Sequence, residues 1–451
     1  MFFDGQRATV MGLGHFGGGA AAARWLATQG AVVTVTDLAD ETTLAAALQS
    51  LAAAPIAAFH LAGHREEDFR QAELVVVNPA VRPNNPWLAV ARANGARLTT
   101  EIDLFLEAVA CLGPHPSPLP AGEGTCLASI GVTGSNGKST TSAMIAAILQ
   151  AAGRKTWLGG NIGGSLLDHL HEIGPGDGVV LELSSFQLSY LRPETRLPHI
   201  SVITSFSPNH LDWHASMDDY AAAKQILLQR QQRDDLAVLN THDRRLASWD
   251  RLVRGRLLPL AADEELPELQ VPGWHNRMNA ACAATAALGA GCSREAIDRG
   301  LRSFHGLPQR MQRIAEIEGR TFYNDSTSTT PESTIAALES LGGPALLLAG
   351  GHDKGLDFSE MVETISRLAV GAAFFGEIGP KLHDRLQSSH VDCLAIAVPT
   401  LDEALDWCWR NSQPGDAIVL SPGCSSHDQF RNFRERGERF AELVGQLAGR
   451  G

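Results

Sequence analysis

Residues 131–140 read GVTGSNGKST, a glycine-rich loop closed by a lysine and a hydroxyl residue. Residue types in this order do phosphate chemistry. Backbone N–H groups from Gly134, Ser135, Asn136, Gly137 and Thr140 would cradle phosphates, Lys138 would reach the β- and γ-phosphates, and Ser139 would hold Mg²⁺. The spacing is G-x-x-G-x-x-G-K-S, with Val132 where the usual pattern has glycine. A second turn, Gly12-Leu13-Gly14-His15-Phe16-Gly17, fits G-x-G-x-x-G, and Asp37 closes the next strand-like run. Such a turn brings a diphosphate against a helix N-terminus. Taken alone it fits a dinucleotide, or a glycine-rich turn with no ligand. A dehydrogenase explains the first turn and not the second loop, and a simple nucleotidase the reverse. A ligase that handles ATP and a nucleotide-bearing substrate explains both.

Loops of this kind need strands and helices to aim them. Residues 7–11, 31–36 and 73–77 are short apolar runs that predict strands, with an alanine-rich helix after the first turn. Residues 127–132, 178–183 and 200–204 predict further strands, and residues 276–288 a helix; 321–323, 345–349 and 416–420 repeat the pattern. Strand and helix alternate throughout, the pattern of α/β domains with parallel sheets. Three blocks follow: 1–100, 101–306 and 307–451. The Pro/Gly-rich stretch 113–124, GPHPSPLPAGEG, is an insertion with no chemistry of its own.

The chain has 451 residues, room for about three domains. A net charge of −13 argues against nucleic-acid and membrane-surface binding. The seven cysteines form no Cys-x-x-Cys pair, which suits reduced thiols. The first strand starts almost at Met1 with no leader-like segment before it, and no apolar run has membrane-spanning length. A cytoplasmic monomer is expected.

Further motifs occur in order: GGNIG (159–163), LELSSFQL (181–188), HLDWH (210–214), HNRMNAACA (275–283), GLPQR (306–310), NDST (324–327), AGGHDKG (349–355) and LSPGCSSHDQFRNFRERG (420–437). With TGSNGKST they make nearly the whole chain, the insertion excepted, resemble the Mur ligases. LELSSFQL and SPGCSSHDQF are most similar to the D-glutamate-adding branch. The resemblance implies a three-domain α/β architecture: a Rossmann-like first domain that binds UDP rather than NAD, a central domain that binds ATP and Mg²⁺, and a third that brings the amino acid and closes over the site. It implies ligation of D-glutamate to UDP-N-acetylmuramoyl-L-alanine through an acyl phosphate, giving ADP and phosphate, in peptidoglycan synthesis.

The resemblance also implies roles for individual residues. Gly14, His15, Phe16, Asp37 and Asn161 would meet the UDP substrate. Asn276, Asn279, Arg310 and Asp325 would join the loop around ATP. Ser139, Glu182, His210 and Lys224 would hold two Mg²⁺ ions, Lys224 as a carbamate. Catalysis would rest on Lys138, His210 and Lys224. Thr329, Lys354, Ser426 and Phe433 would receive glutamate. Read locally, most have plainer alternatives: a strand-end carboxylate for Glu182, a surface lysine for Lys224, a turn asparagine for Asn161, a linker arginine for Arg310. Ser216 with Asp219, and Ser426 with Gln429, have the spacing of helix capping boxes.

Some positions depart from the family pattern. Thr327 stands where lysine is common, His427 for leucine, His15-Phe16 for Leu-Thr, and Asn78-Pro79-Ala80-Val81 for Ser-Pro-Gly-Ile. A ligase for L-glutamate or another amino acid is an alternative. So is a folylpolyglutamate synthetase-like ligase, against which the Rossmann-like first block argues. A non-catalytic relative would be favoured by loss of Lys138, Glu182, His210 or Lys224, and all four are present.

Overall fold

The computed structural model describes residues 3–14, 17–110, 127–210, 213–353, 355–388 and 393–448. His15, Phe16, Lys354 and the 113–124 insertion lie outside the described residues. The chain forms two compact units: residues 1–266 with 278–301, and residues 267–277 with 302–451.

The first unit holds two sheets. One is built from β1 (Arg7–Met11), β2 (Val32–Thr36), β3 (Ala58–His60), β4 (Leu74–Val77) and β5 (Arg97–Thr99), in the order β3-β2-β1-β4-β5. All its pairings are parallel. The other uses β6 (Ala128–Thr133), β7 (Thr156–Gly160), β8 (Gly178–Glu182), β9 (Ile200–Ile203), β10 (Leu236–Leu239) and β11 (Arg256–Leu257), in the order β11-β10-β9-β6-β8-β7. It too is parallel. The central strands are buried along their whole length, as in LVVV of β4 and ASIGVT of β6, because helices cover both faces of a parallel sheet. One apolar core runs through both sheets, from Val10, Leu26 and Phe105 to Leu181, Leu183 and Leu239. Arg24, on helix Gly18–Thr28, forms a two-pronged ion pair with Asp168 at 2.9 and 2.7 Å, tying the first sheet's layer to the second's.

The second unit contains β12 (Gln312–Ile317), β13 (Arg320–Asn324), β14 (Ala345–Gly350), β15 (Ala369–Phe375), β16 (Leu394–Val398) and β17 (Ala417–Leu420), ordered β12-β13-β17-β14-β15-β16. Its first pair is antiparallel and the rest parallel. Two cores, around Leu347, Phe374 and Ile365 and around Phe322, Leu348 and Phe440, fill its faces.

Most predicted strands recur within a residue or two of their predicted ends. β7 (TWLGG) and the half-exposed β12 escaped the sequence pattern for want of a sustained apolar run, while β10 (LAVL), β15 (AVGAAFF) and β16 (LAIAV) are apolar and were not read as strands. Two capping expectations need correction. Ser216 Oγ does accept from Asp219 N at 3.1 Å, but the Asp219 carboxylate takes Ala215 N and the His214 ring instead of completing the box. Ser426 begins a turn, not a helix. Its carbonyl accepts from Gln429 N and Phe430 N, and the helix starts at Phe433, where Asn432 Oδ1 caps Arg434 N and Glu435 N.

No helix among the described residues is long and apolar enough to cross a membrane.

Candidate functional site

In open parallel sheets ligands gather beyond the carboxyl ends of strands, where the strand order reverses. In the first sheet that point lies between β1 and β4. The loops leaving them, Gly12–Gly14 and Asn78–Ala80, line a cleft of 330 Å³ together with Glu101, Asn161, Ser165, Ser184, Phe186 and Gln187. Asn78 Oδ1 accepts from Ala80 N at 3.0 Å, which turns its amide nitrogen onto the glycine turn. Gly14, at φ +70, faces that nitrogen so closely that a Cβ would lie 2.7 Å from it. Asp37 braces the turn from behind: its Oδ2 accepts from Leu13 N at 2.8 Å and its Oδ1 from Ala39 N at 2.9 Å. Of the residues expected on UDP, Gly14 and Asn161 line the cleft, and Asp37 holds its wall.

In the second sheet the order reverses between β6 and β8. The phosphate loop leaves β6, and Glu182 ends β8. Neighbouring serines and threonines hold the loop's shape. Ser135 N donates to Ser205 O, Asn136 N to Ser205 Oγ, and Thr204 Oγ1 to Asn136 O. Ser135 Oγ donates to Ser207 O and shares a bond with Tyr220 OH. The N–H groups of Ser135 and Asn136, expected on phosphates, are therefore committed to Ser205. The loop then runs into the N-terminus of helix Lys138–Ala151, an end that favours an anion. Residues 204–207, TSFS, were not singled out from sequence; their run of hydroxyl residues after a strand was the available signal.

Lys138 Nζ bonds Gly134 O at 3.0 Å and Ser135 O at 2.9 Å. Lys224, only 1 % exposed, donates to Gly134 O at 2.8 Å and lies over the Tyr220 ring. Burial, and then the charge of Lys138, pull its pKa down to about 6, with Glu182 working the other way. Lys224 is thus a buried amine at the loop, not a surface lysine.

Glu182 is buried. Its Oε1 accepts from Asn161 Nδ2 at 2.8 Å, and its Oε2 has no hydrogen-bond partner among the described residues. A buried carboxylate oxygen left open calls for a cation. This suits Mg²⁺, a hard ion that takes oxygen donors. Among the described residues no three His, Cys, Asp or Glu side chains cluster as a metal site. The donor set would be mixed, with Ser139 in the first helical turn, Glu182, His210 and Lys224. His210 packs against Phe186 at 4.8 Å between ring centres, and its backbone is left-handed at φ +55. For a non-glycine residue this conformation is strained, and such strain gathers at functional sites.

Asn279 meets the loop directly: its Oδ1 lies 2.2 Å from where a Cβ on Gly137 would stand. Asn276 donates to Pro272 O at 2.6 Å and is counted with the second unit.

In the second unit Asp325 follows β13 and is buried. It accepts from Met311 N, Ser328 Oγ and Ser421 Oγ, and burial raises its pKa to about 6. Arg310 is exposed between two left-handed residues, Gln309 at φ +59 and Met311 at φ +41. Thr327 donates to Gln309 O from both its N–H and its hydroxyl, so the residue in the lysine's place stitches this turn. Thr329 and Phe433 are half-buried and Ser426 is buried. Fully buried Arg436 joins Ser326 to Cys424 O and was not singled out from sequence. A larger cleft of 790 Å³ between Thr400–Glu403 and Arg431–Glu442 is lined by paired charges such as Arg439–Asp402 and carries no phosphate loop.

The family profile of the Mur ligase MurD-like N-terminal domain matches residues 6–100, that of the Mur ligase middle domain 132–257, and that of the Mur ligase glutamate ligase domain 309–424. The UDP-N-acetylmuramoylalanine–D-glutamate ligase of Roseiflexus sp. (strain RS-1) is 37 % identical over 98 % of this chain and 99 % of its own. The chain belongs to the Mur ligase family. As a Mur ligase it is an ATP-dependent, bond-forming enzyme. The protein of the same name from Geobacillus kaustophilus (strain HTA426) is 34 % identical over 99 % of both chains. Among solved structures, the UDP-N-acetylmuramate-alanine ligase MurC of Thermotoga maritima shares the Mur ligase fold. It has a TM-score of 0.59 at 19 % identity and covers 98 % of this chain and 99 % of its own.

Proposed function

We propose that this Mur ligase adds D-glutamate to UDP-N-acetylmuramoyl-L-alanine in peptidoglycan synthesis. One observation carries the reading. Asn161 lines the nucleotide-type cleft and bonds Glu182, whose charge acts on Lys224, and Lys224 shares Gly134 O with Lys138. A substrate cleft thus adjoins an ATP loop through three side chains. The full-length D-glutamate ligase relatives support the choice of amino acid.

An oxygen of the alanine carboxylate attacks the γ-phosphorus of ATP, and the bond to the β-phosphate oxygen breaks, releasing ADP. The amine of glutamate then attacks the acyl carbon. A C–N bond forms, phosphate leaves with the C–O electron pair, and the amine loses a proton. Negative charge builds on the transferring group, and Lys138 with the N–H groups of its helical turn lies where that charge is held. Mg²⁺, two ions by the family pattern, would sit on Ser139, Glu182, His210 and carbamylated Lys224 and supply charge neutralisation at the phosphoryl oxygens. Asn276, Asn279, Arg310 and Asp325 serve ATP; Gly14, His15, Phe16 and Asp37 serve UDP. Thr329, Lys354, Ser426 and Phe433 serve glutamate. The enzyme works in the cytoplasm, as a monomer, on small molecules.

The test is phosphate release from ATP with UDP-N-acetylmuramoyl-L-alanine and D-glutamate, L-glutamate or no amino acid. Release that depends on D-glutamate is expected. Dependence on L-glutamate alone would reassign the amino acid, and no release with either would overturn the reading.

A further inference from the structure

The cleft of the first unit holds one acidic group that the chemistry above leaves unused. Glu101 opens helix Glu101–Ala110 and lines the cleft. Its Oε1 accepts a hydrogen bond from Ser165 Oγ. Its side chain lies over Gly18, the first residue of helix Gly18–Thr28. A Cβ on Gly18 would stand 3.9 Å from Glu101 Cγ and 4.0 Å from Oε2. A turn of this type seats a diphosphate at that helix N-terminus. The carboxyl therefore lies in the same cleft as the helix N-terminus that a UDP substrate's diphosphate would approach.

The charges around it do not neutralise it. Arg24, on the glycine helix, is held by Asp168 and Ser50 O. Asp168 itself acts on Glu101 as a second negative charge. Asp103, on Glu101's own helix, is turned into bonds from Thr99, Arg192 and Thr195. Burial foremost, then Asp168, hold the Glu101 carboxyl up at about 7, against the Ser165 bond.

We infer that Glu101 receives the UDP substrate as the neutral acid, donating its proton in a hydrogen bond to the diphosphate, so that binding takes up a proton. The inference rests on the UDP-substrate reading above. An ionised carboxylate beside the diphosphate would repel it in a partly dry cleft, whereas a protonated one offers an O–H donor. Ser165 donates to Oε1, which leaves Oε2 to carry the proton. The diphosphate of a UDP-sugar is esterified at both ends and has no group that titrates near neutrality, so the proton taken up belongs to the protein. Glu101 is a substrate-contacting specificity residue: it favours a ligand with acceptor oxygens at the helix and sets the pH range in which the ligand binds.

The test is calorimetric binding of UDP-N-acetylmuramoyl-L-alanine without ATP, in buffers of different ionisation enthalpy. Affinity should fall on the order of tenfold from about pH 6.5 to about pH 8.5 as the neutral fraction drops, with net proton uptake. Glu101→Gln, which keeps a donor and has no charge to lose, should lose the proton uptake that Glu101 contributes, and its affinity should fall much less than the parent's across that range. Ser165→Ala should shift the fall to higher pH, which mere loss of packing would not do. A Glu101→Gln protein that keeps the parent's pH dependence overturns the inference. So does a Ser165→Ala profile that stays in place, should the first variant not fold. A parent that binds no UDP substrate at any pH overturns the functional reading itself.

Discussion

Lys138 and Lys224 donate to one carbonyl oxygen, that of Gly134, at 3.0 and 2.8 Å. Burial first, and then repulsion from Lys138, bring the Lys224 pKa down to about 6. At neutral pH much of Lys224 is free amine, the form that adds CO₂. Carbon-13 NMR in labelled bicarbonate should show a carbamate signal that Lys224→Ala lacks; the same signal in both proteins would place the carbamate elsewhere.

A lowered lysine pKa has a stability consequence. Between about pH 6 and the unfolded value of 10.5 the unfolded chain binds more protons at this site, so this residue's contribution makes stability rise with pH across that window. Lys224→Met removes the buried charge while keeping length. It should melt roughly a few degrees higher than the unliganded, carbamate-free parent near pH 6, converge with it at high pH, and be inactive. Calorimetric melting across pH checks this, and a variant that melts lower at pH 6 would contradict it.

Lys138→Ala should leave the fold intact, since Ser205, Thr204 and Ser207 also hold the loop's shape. Phosphate release should drop on the order of a thousandfold, the scale of losing a cation that stabilises phosphoryl transfer. Near-parental turnover would remove Lys138 from the chemistry.

Asn161 touches both the cleft and Glu182, and kinetics separate the two roles. As the partner that orients a metal-binding carboxylate, Asn161→Ala should raise the Mg²⁺ concentration for half-maximal rate about 10- to 100-fold. A higher KM for the UDP substrate with unchanged Mg²⁺ dependence would instead assign the amide to the substrate.

Gly137→Ala should damage ATP binding with little change in the UDP site. The new Cβ would sit at φ +81 and 2.2 Å from Asn279 Oδ1, so the loop or Asn279 must move. Unaltered KM for ATP would show that neither holds the nucleotide.

What could be read from the sequence was local. The phosphate loop and the Gly12–Gly17 turn are contiguous, and each follows a short apolar run, so strand, turn and helix were all visible within a few residues. Lys224 was different: its helix and cap were readable, yet spacing alone made it a surface lysine. The fold buries it because β6 and β9 pair and bring residues 134 and 224 together across 90 positions. Strand pairing likewise brings Ser135 to Ser205 (β6 and β9) and Asn161 to Glu182 (β7 and β8), and helix packing sets Glu101 against Gly18. Sequence alone determined which groups the protein owns and the class of chemistry they perform, because motif and strand signals act over short range. Tertiary structure decided which of those groups are dry, charged or shared, because burial and electrostatic coupling depend on distances that only the packed sheets establish.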